Sequence, residues 1–241
     1  MHTTWKVKIY ADGADLKSMK ALAANPHVKG FTTNPSLVRK AGVTDYEAFA
    51  RETVAAIPNH PISFEVFADE NGEMEAQALE IATWGKNVYV KIPVTNTKGV
   101  STAPIISRLS RKGVALNITA LFTTGQVREV VDALDPAAPA VISVFAGRIA
   151  DTGVDPLPMM KACAEIVKSK PKAELLWAST RELVNIEHAE QAGCHIITVP
   201  NDLIDKLKLV GKDLTAYSLE TVKGFYQDAT TAGYRIVTKA R

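Results

Sequence analysis

Eight β-type runs alternate with helical patterns along this chain of 241 residues, and the alternation predicts a closed (β/α)8 TIM barrel. The chain length agrees with one large α/β domain. The main alternative is an open doubly wound sheet, but the first turn, residues 11–15, lacks the G-x-G-x-x-G pattern that is typical of that fold. We therefore expect residues 1–241 to form a single barrel domain with an additional C-terminal helix.

The predicted strands are short apolar runs, rich in β-branched and aromatic residues, that end near turn-forming residues. Runs this short indicate buried strands, because helices in globular proteins are usually longer. The eight predicted strands are residues 6–11, 28–32, 62–67, 88–92, 115–119, 140–145, 174–178 and 195–199.

The connections between these runs carry apolar residues at helical spacing. Three of them begin with recognisable start signals: Asp15 as an N-cap, Asn34 followed by Pro35, and Thr44 followed three residues later by Glu47. The predicted helices are residues 15–24, 35–41, 45–57, 71–84, 101–111, 124–133, 156–169, 181–191 and 201–207. A last helix, at about residues 214–231, either packs on the barrel or lies between subunits.

Charge and hydropathy exclude several classes of protein. The net charge is +2, with 28 basic and 26 acidic residues, so we expect no nucleic acid and no membrane surface as a partner. We find no apolar stretch long enough to span a bilayer and no signal-peptide pattern. Cys163 and Cys194 form neither a disulfide framework nor a metal motif, and we expect a cytoplasmic protein with buried thiols.

Lys91 lies near the end of the fourth apolar run, Val-Tyr-Val-Lys-Ile-Pro. A lysine in a buried strand costs free energy unless it is paired or works as an amine. A desolvated lysine can lose its proton near neutral pH and attack a carbonyl carbon. Lys91 is therefore the first candidate for a catalytic residue.

Polar groups follow seven consecutive predicted strands, whose carboxyl ends meet at one mouth of a barrel. The eighth strand ends in Val199-Pro200 and is expected to contribute little. In chain order the groups are Asp12, Asn34, Glu65, Lys91, Asn117 with Thr119, Ser143 with Arg148, and Ser179 with Arg181.

Each of these residues also has a plain structural interpretation. Asp12, Asn34 and Ser179 are common N-cap residues. Lys91 could form an ion pair with Glu65 or with Asp12. The arginines could bond to loop carbonyls, or to Asp151 and Glu182. We prefer a functional site because the collection as a whole is more specific than any one of its members.

The residue types indicate the chemistry. A lysine nucleophile needs acid and base groups beside it, for which Asp12 and Glu65 are candidates. Hydroxyl groups of a polyol would bond to Asn34, Asn117 and Thr119, and an anion would bind between Arg148 and Arg181 with help from the hydroxyls of Ser143 and Ser179. This set suggests a phosphorylated ketose as substrate. It requires no cofactor and no metal, because the imine itself accepts the electron pair.

Five motifs make the chain resemble the transaldolases of the shorter bacterial kind, which are related to fructose-6-phosphate aldolase. The resemblance covers nearly the whole chain, from Ile9 to the helix after the eighth strand. The motifs are Ala11-Asp12, Phe31-Thr32-Thr33-Asn34-Pro35-Ser36, Val90-Lys91-Ile92-Pro93, Leu116-Asn117-Ile118-Thr119 with Phe122, and Ile142-Ser143-Val144-Phe145-Ala146-Gly147-Arg148.

The resemblance implies a class I aldolase-like barrel and a transferase of aldehyde or ketone residues in carbohydrate metabolism, in the pentose phosphate pathway. Lys91 would form the Schiff base, and Asp12 would be the acid and base. Glu65 and Thr119 would hold a water molecule. Asn34 and Asn117 would bind the dihydroxyacetone unit. The phosphate would lie against Ser143, Arg148 and Arg181. We expect sugar phosphates as small-molecule partners and a homo-oligomer.

Two positions separate the transaldolases from fructose-6-phosphate aldolase, which has a glutamine in place of Glu65 and a tyrosine in place of Phe145. They favour transfer of the three-carbon unit over its release. Release of free dihydroxyacetone stays an alternative, as does a sulfonate in place of the phosphate. A non-catalytic sugar-phosphate-binding barrel and a metal-dependent epimerase are further alternatives, but the epimerase would need a cluster of His and carboxylate ligands that the strand ends lack.

Overall fold

A computed structural model describes residues 5–238 of the protein, and it confirms the predicted barrel. The eight strands are parallel, and each pairs with its sequence neighbours. The barrel closes where β1 pairs with β8, from Lys8 beside Ile196 to Asp12 beside Pro200. The strands are β1 Lys8–Asp12, β2 Val28–Thr32, β3 Ile62–Glu65, β4 Val88–Pro93, β5 Leu116–Leu121, β6 Ala140–Val144, β7 Ala173–Trp177 and β8 Ile196–Pro200.

The strand sequences are almost continuously apolar because helices cover the outside of a parallel barrel while side chains fill its inside. Every residue of β6 is buried. One cluster of buried side chains in the interior contains Tyr10, Val141, Leu176 and Ile196. Glycine is required at Gly30, since a Cβ atom there would lie 2.6 Å from the ring of Tyr10. The packed interior gives the strand ends a rigid base.

Eleven α-helices are assigned within the described residues. Asp15 and Asn34 accept hydrogen bonds from the first turns of α1 and α2, as predicted. The predicted start at Thr44 is wrong, because Asp45 caps α3 by accepting from the N–H of Ala48. The helices are α1 Leu16–Ala23, α2 Pro35–Lys40, α3 Tyr46–Ala56, α4 Asn71–Ile81, α5 Ala103–Arg111, α6 Thr124–Ala133, α7 Ala146–Ala150, α8 Pro156–Val167, α9 Asn185–Gln191, α10 Asn201–Ile204 and α11 Leu214–Thr231.

The observed helices differ from the predicted ones in three places. Helix α7 was not predicted. Helix α9 begins at Asn185, four residues later than expected, so Arg181 lies in the loop before it. The helix expected at residues 201–207 is the single turn of α10, followed by a 3-10 helix at Asp205–Leu209.

The described residues form two compact units, residues 5–205 and residues 206–238. The first contains the barrel. The second contains α11, whose bounds agree with the predicted ones and whose N-cap is Asp213. The expectation of one domain stays a prediction. Within residues 5–238, no helix combines the length and the apolar character that a membrane span requires.

Candidate active site

A cavity of about 460 Å3 opens at the carboxyl ends of the strands, where TIM barrels carry their catalytic sites. Its volume is in the usual range of small-molecule sites. The residues that the sequence analysis selected all line this cavity, and their individual roles remain predictions. They are Asp12, Asn34, Glu65, Lys91, Asn117, Thr119, Ser143, Phe145, Arg148, Ser179 and Arg181.

Lys91 lies on β4 between Glu65 of β3 and Asn117 of β5, because the parallel register pairs it with both. Its side chain is buried. Its Nζ lies 3.0 Å from Oε2 of Glu65 and donates to the carbonyl oxygen of Thr33 at 2.9 Å. The amine is thus fixed in position rather than free to rotate.

The ion pair between Lys91 and Glu65 is the structural alternative that the sequence left open, and it is present. It does not remove either residue from the cavity, since both line its wall. A lysine ammonium has three N–H donors, and its two contacts here leave one for a bound molecule. A carboxylate at this distance can also accept the proton that the amine must lose before it attacks a carbonyl carbon.

Asp12 ends β1 and is held by the hydroxyl of Thr32. Oγ1 of Thr32, on β2, donates to Oδ1 of Asp12 at 2.9 Å and also hydrogen-bonds to Oγ1 of Thr198, on β8. Burial raises the pKa of the Asp12 carboxyl, and the charge of Glu65 adds to this effect. The charge of Lys91 and the hydrogen bond from Thr32 act against it. A carboxyl whose pKa is raised exchanges protons closer to neutral pH, as a general acid or base must.

The side-chain amide of Asn117 is oriented by two serines. Its Oδ1 accepts a hydrogen bond from the hydroxyl of Ser143 at 2.6 Å, and its Nδ2 donates to Oγ of Ser63 at 2.9 Å. The amide therefore presents its second N–H in a defined direction. The hydroxyl hydrogen of Ser143 is used in this network, whereas the sequence analysis expected it to serve an anion.

Thr119 lies where β5 departs from regular pairing. The register of β5 against β6 shifts between Ile118 and Leu121, and the residue after Thr119, Ala120, has a φ of 60°. Such bulges often re-aim a side chain beside an active site. The Oγ1 of Thr119 is buried and has no hydrogen-bond partner among residues 5–238, so it is available to a molecule in the cavity.

Arg148 lies on α7 and is exposed. Its guanidinium carbon stands 5.1 Å from the centre of the Phe145 ring, and that ring in turn packs at 5.7 Å against Phe122. A guanidinium that stacks on an aromatic ring keeps its N–H groups directed outward for an anion.

Arg181 forms the ion pair with Asp151 that the sequence analysis gave as its structural alternative. Nε donates to Oδ1 of Asp151 at 3.1 Å, and a second hydrogen bond joins NH2 to Oδ2. The pair lowers the pKa of Asp151 and raises that of Arg181. Both side chains are about half exposed, so the pair contributes little stability and can be exchanged for another anion.

Gly147 follows β6, Ser179 follows β7, and the two residues are in close contact. Ser179 has a φ of 63°, which is uncommon for a residue with a side chain. The N–H of Gly147 donates to the carbonyl oxygen of Ala178 at 3.2 Å. A Cβ atom on Gly147 would lie 1.6 Å from the carbonyl oxygen of Ser179. This contact fixes the start of α7, and with it Arg148, against the loop that carries Arg181.

Asn34 serves the structure and lines the cavity at once. Its Oδ1 accepts from the N–H of Leu37 at 3.0 Å and so caps α2. The cap leaves the Nδ2 hydrogens for a bound molecule.

The expectation that the eighth strand contributes little to the site is wrong. Thr198 and Pro200 of β8 line the cavity, as do Thr32 and Thr180. Sequence reasoning missed Thr198 because it considered only the last residues of that strand, whereas the side chain of residue 198 points inward two positions earlier. The period of two along a strand would have identified it.

Among the described residues, no group of three or more His, Cys, Asp or Glu side chains lies close enough together to hold a metal ion. The cation groups in the cavity are instead Lys91, Arg148 and Arg181. The cavity thus combines cationic groups, which can bind an anion, with hydroxyl and amide groups, which can form hydrogen bonds to a polyol, beside a buried amine.

Residues 9–236 match the family model described as Transaldolase/Fructose-6-phosphate aldolase. A probable transaldolase of Dehalococcoides mccartyi is 36% identical over 195 residues, which are 80% of this chain and 87% of that protein. A probable transaldolase of Streptococcus equi subsp. zooepidemicus is 34% identical over 89% of this chain and 95% of its own length. A probable transaldolase 2 of Listeria monocytogenes is 33% identical over 83% and 88%.

Similar solved structures share the barrel at low sequence identity. KGPDC from Streptococcus mutans has a TM-score of 0.57 and 11% identity, and the match covers 83% of this chain and 90% of that one. A putative dihydrodipicolinate synthase family protein from Coccidioides immitis has a TM-score of 0.55 and 12% identity, with coverage of 82% and 68%. At such identities the likeness shows the fold alone.

Proposed function

This chain belongs to the transaldolase/fructose-6-phosphate aldolase family, and we propose that it is a transaldolase that moves a dihydroxyacetone unit from a ketose phosphate to an aldose phosphate through an imine at Lys91. One observation carries the proposal: Lys91 is a buried amine at the wall of the strand-end cavity, which two carboxyl groups, Glu65 and Asp12, also line.

The first half of the reaction forms the imine and breaks a carbon–carbon bond. Nζ of Lys91 gives a proton to Glu65 and attacks the ketose carbonyl carbon. Glu65 returns this proton to the former carbonyl oxygen, which leaves as water, and the protonated imine remains. Asp12 then removes the proton from the hydroxyl on the fourth carbon, the bond between the third and fourth carbons breaks, and its electron pair passes into the imine. An aldose leaves, and an enamine remains on Lys91.

The second half reverses these steps with a new aldehyde. The enamine carbon attacks the acceptor carbonyl carbon, and Asp12 returns its proton to the new hydroxyl. Water between Glu65 and Thr119 then hydrolyses the imine and frees Lys91. The proposal needs no cofactor, because the imine holds the electron pair between the two halves.

The anionic end of the sugar is assigned to Arg148 and Arg181. Two planar guanidinium groups suit the oxygens of a phosphate. Arg181 would exchange its exposed partner Asp151 for that anion. A sulfonate fits the same donors, so we propose phosphate as the leading choice and sulfonate as the alternative.

Transfer is favoured over release because Glu65 and Phe145 are the residues of the transaldolases at these positions. The ring of Phe145 lines the cavity and is backed by the ring of Phe122, and an apolar ring at this position disfavours a water molecule beside the enamine. We therefore propose release of dihydroxyacetone as the second function. An assay of the fructose 6-phosphate donor with and without an acceptor aldehyde distinguishes the two, since only a releasing enzyme turns over without the acceptor.

Borohydride trapping tests the imine. Fructose 6-phosphate with borohydride is expected to add a stable mass to the peptide that contains Lys91. Lys91→Ala should give no adduct and no turnover. Lys8→Ala is the matched control, because Lys8 also lies on a strand and forms an ion pair, with Glu174, but is not part of the cavity wall. An adduct on another lysine, or full activity of Lys91→Ala, would contradict the mechanism.

A donor screen tests the anionic end. Fructose 6-phosphate, its sulfonate analogue and free fructose differ only in the group that Arg148 and Arg181 would bind. We expect the phosphate to have the lowest KM and free fructose the highest. Equal KM values for all three donors would mean that Arg148 and Arg181 do not bind the anionic end of the sugar.

We also propose that the protein acts in the cytoplasm on sugar phosphates alone, without nucleic acid or membrane as partner. The cysteines Cys163 and Cys194 support the cytoplasmic part of this proposal, since both are buried as free thiols.

A further inference from the structure

We propose that Thr198 is a positioning residue for Asp12: its hydroxyl orients the hydroxyl of Thr32, and Thr32 in turn holds Asp12 as the proton acceptor for carbon–carbon cleavage. The inference rests on the proposed function of Asp12. It gives a purpose to a buried polar side chain on β8 that the mechanism above does not use.

The three side chains meet because their strands are neighbours in the closed barrel. β1 lies between β2 and β8, and its residue Asp12 pairs with Thr32 on one side. On the other side Thr198 pairs with Tyr10, two residues before Asp12 and on the same inward face. Thr198 and Thr32 thus approach each other in front of β1, just below the carboxylate.

The direction of the hydrogen bonds follows from the donors available. In its ionised form, which is the form that accepts a proton from the substrate, Asp12 only accepts hydrogen bonds, so Thr32 gives its single hydroxyl hydrogen to Asp12. The bond between the two threonines then requires Thr198 to be the donor. The chain runs from Thr198 to Thr32 to Asp12, and each donor in such a chain polarises the next.

Thr32 and Thr198 are both buried residues, which limits the number of solvent molecules that can compete for these hydrogen bonds. The backbone of Thr198 is also fixed, because the hydroxyl of Thr180 donates to its carbonyl oxygen at 2.7 Å. A β-branched side chain on a fixed backbone has few rotamers. The hydroxyl of Thr198 therefore stays directed at Thr32.

Other groups also act on Asp12, and the contribution of Thr198 must be separated from theirs. Lys91 on β4 favours the carboxylate, and Glu65 on β3 disfavours it. Replacing Thr198 alters neither charge. Loss of its hydrogen bond should weaken the chain that stabilises the carboxylate and so raise the pKa of Asp12.

The test replaces Thr198 by valine, which has the same shape and no hydroxyl. A neutral hydrogen bond contributes on the order of 1 kcal/mol, so we expect kcat to fall about five-fold and the acid limb of its pH profile to move up by about 0.7 unit. KM and the yield of the borohydride adduct should stay at the wild-type values, because imine formation does not use Asp12. Thr198→Ser keeps the hydroxyl and should restore the profile.

Thr53→Val is the matched control, because Thr53 is also buried but donates within α3 to the carbonyl oxygen of Phe49. It should leave the pH profile in place. Thr198→Ala serves as the second variant if the valine variant folds poorly. A wild-type profile in Thr198→Val or Thr198→Ala overturns the inference, and so does a fall in kcat that is matched by a fall in the adduct.

A second measurement does not depend on activity. The titration of Asp12 is followed by 13C NMR of aspartate-labelled protein without substrate, with Asp12→Asn to assign the resonance. The Thr198→Val variant should move this titration to higher pH. No movement contradicts the role of Thr198 even if the enzyme is a transaldolase, whereas movement in a protein that turns over no sugar phosphate supports it and contradicts the proposed function.

Discussion

At the scale of single residues, the site combines groups that stand out in a sequence with groups that do not. Lys91 and Glu65 are charged residues in apolar strands, and such residues are rare enough to indicate function. Thr198 and Thr32 are ordinary strand residues, because threonine has a high β propensity. Sequence reasoning therefore found the charged members of the site. Thr32, which bonds to Asp12, and Thr198, which bonds to Thr32, stand out only when the alternation of side chains along their strands is followed.

The burial of Asp12 in the site lowers the stability of the folded protein at neutral pH. Its pKa is raised, chiefly by burial, so folding favours its neutral form. The stabilisation by that neutral form is complete below the pKa of the unfolded chain, and it is lost as the pH rises through the higher pKa of the folded protein.

We expect Asp12→Asn to unfold at a higher temperature than the wild type at neutral pH. The difference should shrink as the pH falls and be smallest well below about 4, the ordinary pKa of an aspartate in an unfolded chain. At neutral pH it should amount to about 1.4 kcal/mol for each unit by which folding raises the pKa of Asp12. Turnover should be lost while the borohydride adduct still forms. Thermal unfolding at several pH values measures the effect.

Asp15→Asn is the opposite control. Hydrogen bonds from the hydroxyl and the N–H of Ser18 lower the pKa of Asp15, so its contribution is present at neutral pH and lost as the pH falls. The asparagine variant should therefore be less stable than the wild type at neutral pH. The same pH trend in both variants would argue against burial as the cause at Asp12.

At the scale of elements, sequence patterns predicted the repeating strands and the longer helices but missed one short helix. All eight strands were predicted within a few residues, because each is an apolar run between turns. Helix α7 was missed, since the five residues Ala146–Ala150 are too few to show helical spacing. This single turn carries Arg148, so the least predictable element holds one of the proposed anion ligands.

The close contact at Gly147 should make α7 intolerant of a larger side chain. Gly147→Ala places a methyl group on the carbonyl oxygen of Ser179, and the loop must move. We expect a loss of at least about 2 kcal/mol in the free energy of unfolding, as for overpacking of a core, and a higher KM for phosphorylated donors as Arg148 shifts. Urea unfolding and steady-state kinetics measure the two effects.

Gly72→Ala is the matched control on α4, because a Cβ atom there has no neighbour within 4 Å. Alanine in a helix is favoured over glycine by about 0.5–1 kcal/mol, so this variant should gain stability and keep its kinetics. A similar loss of stability in both variants would mean that the contact with Ser179 is not the cause.

At the scale of the whole molecule, the barrel was predictable because closure follows from the number of strand–helix units, whereas association with other chains does not. Helix α11 bears Leu214, Val222 and Phe225 on one face, and all three are exposed. Apolar side chains grouped in this way are typical of interaction surfaces. We therefore propose that the protein is a homo-oligomer in which α11 takes part.

Light scattering after size-exclusion chromatography should give a mass that is a multiple of that of one chain. Val222→Ser together with Phe225→Ser should lower this multiple, because burial of two large apolar side chains would be lost on each helix. Thr221→Ser, on the same helix, is the control. A wild-type protein that runs as a single chain contradicts the proposal.

The closure of the barrel has a consequence for the making of the protein on the ribosome. A nascent chain that has emerged only as far as residue 195 contains β1 to β7, but β1 still has an open edge and the site still lacks Thr198. β1 therefore keeps an unpaired edge until β8 has been synthesised, and this edge can pair with other nascent chains. Translation that stops before β8 should leave an aggregation-prone product with no partial activity, since the step that seals the barrel also completes the surroundings of Asp12.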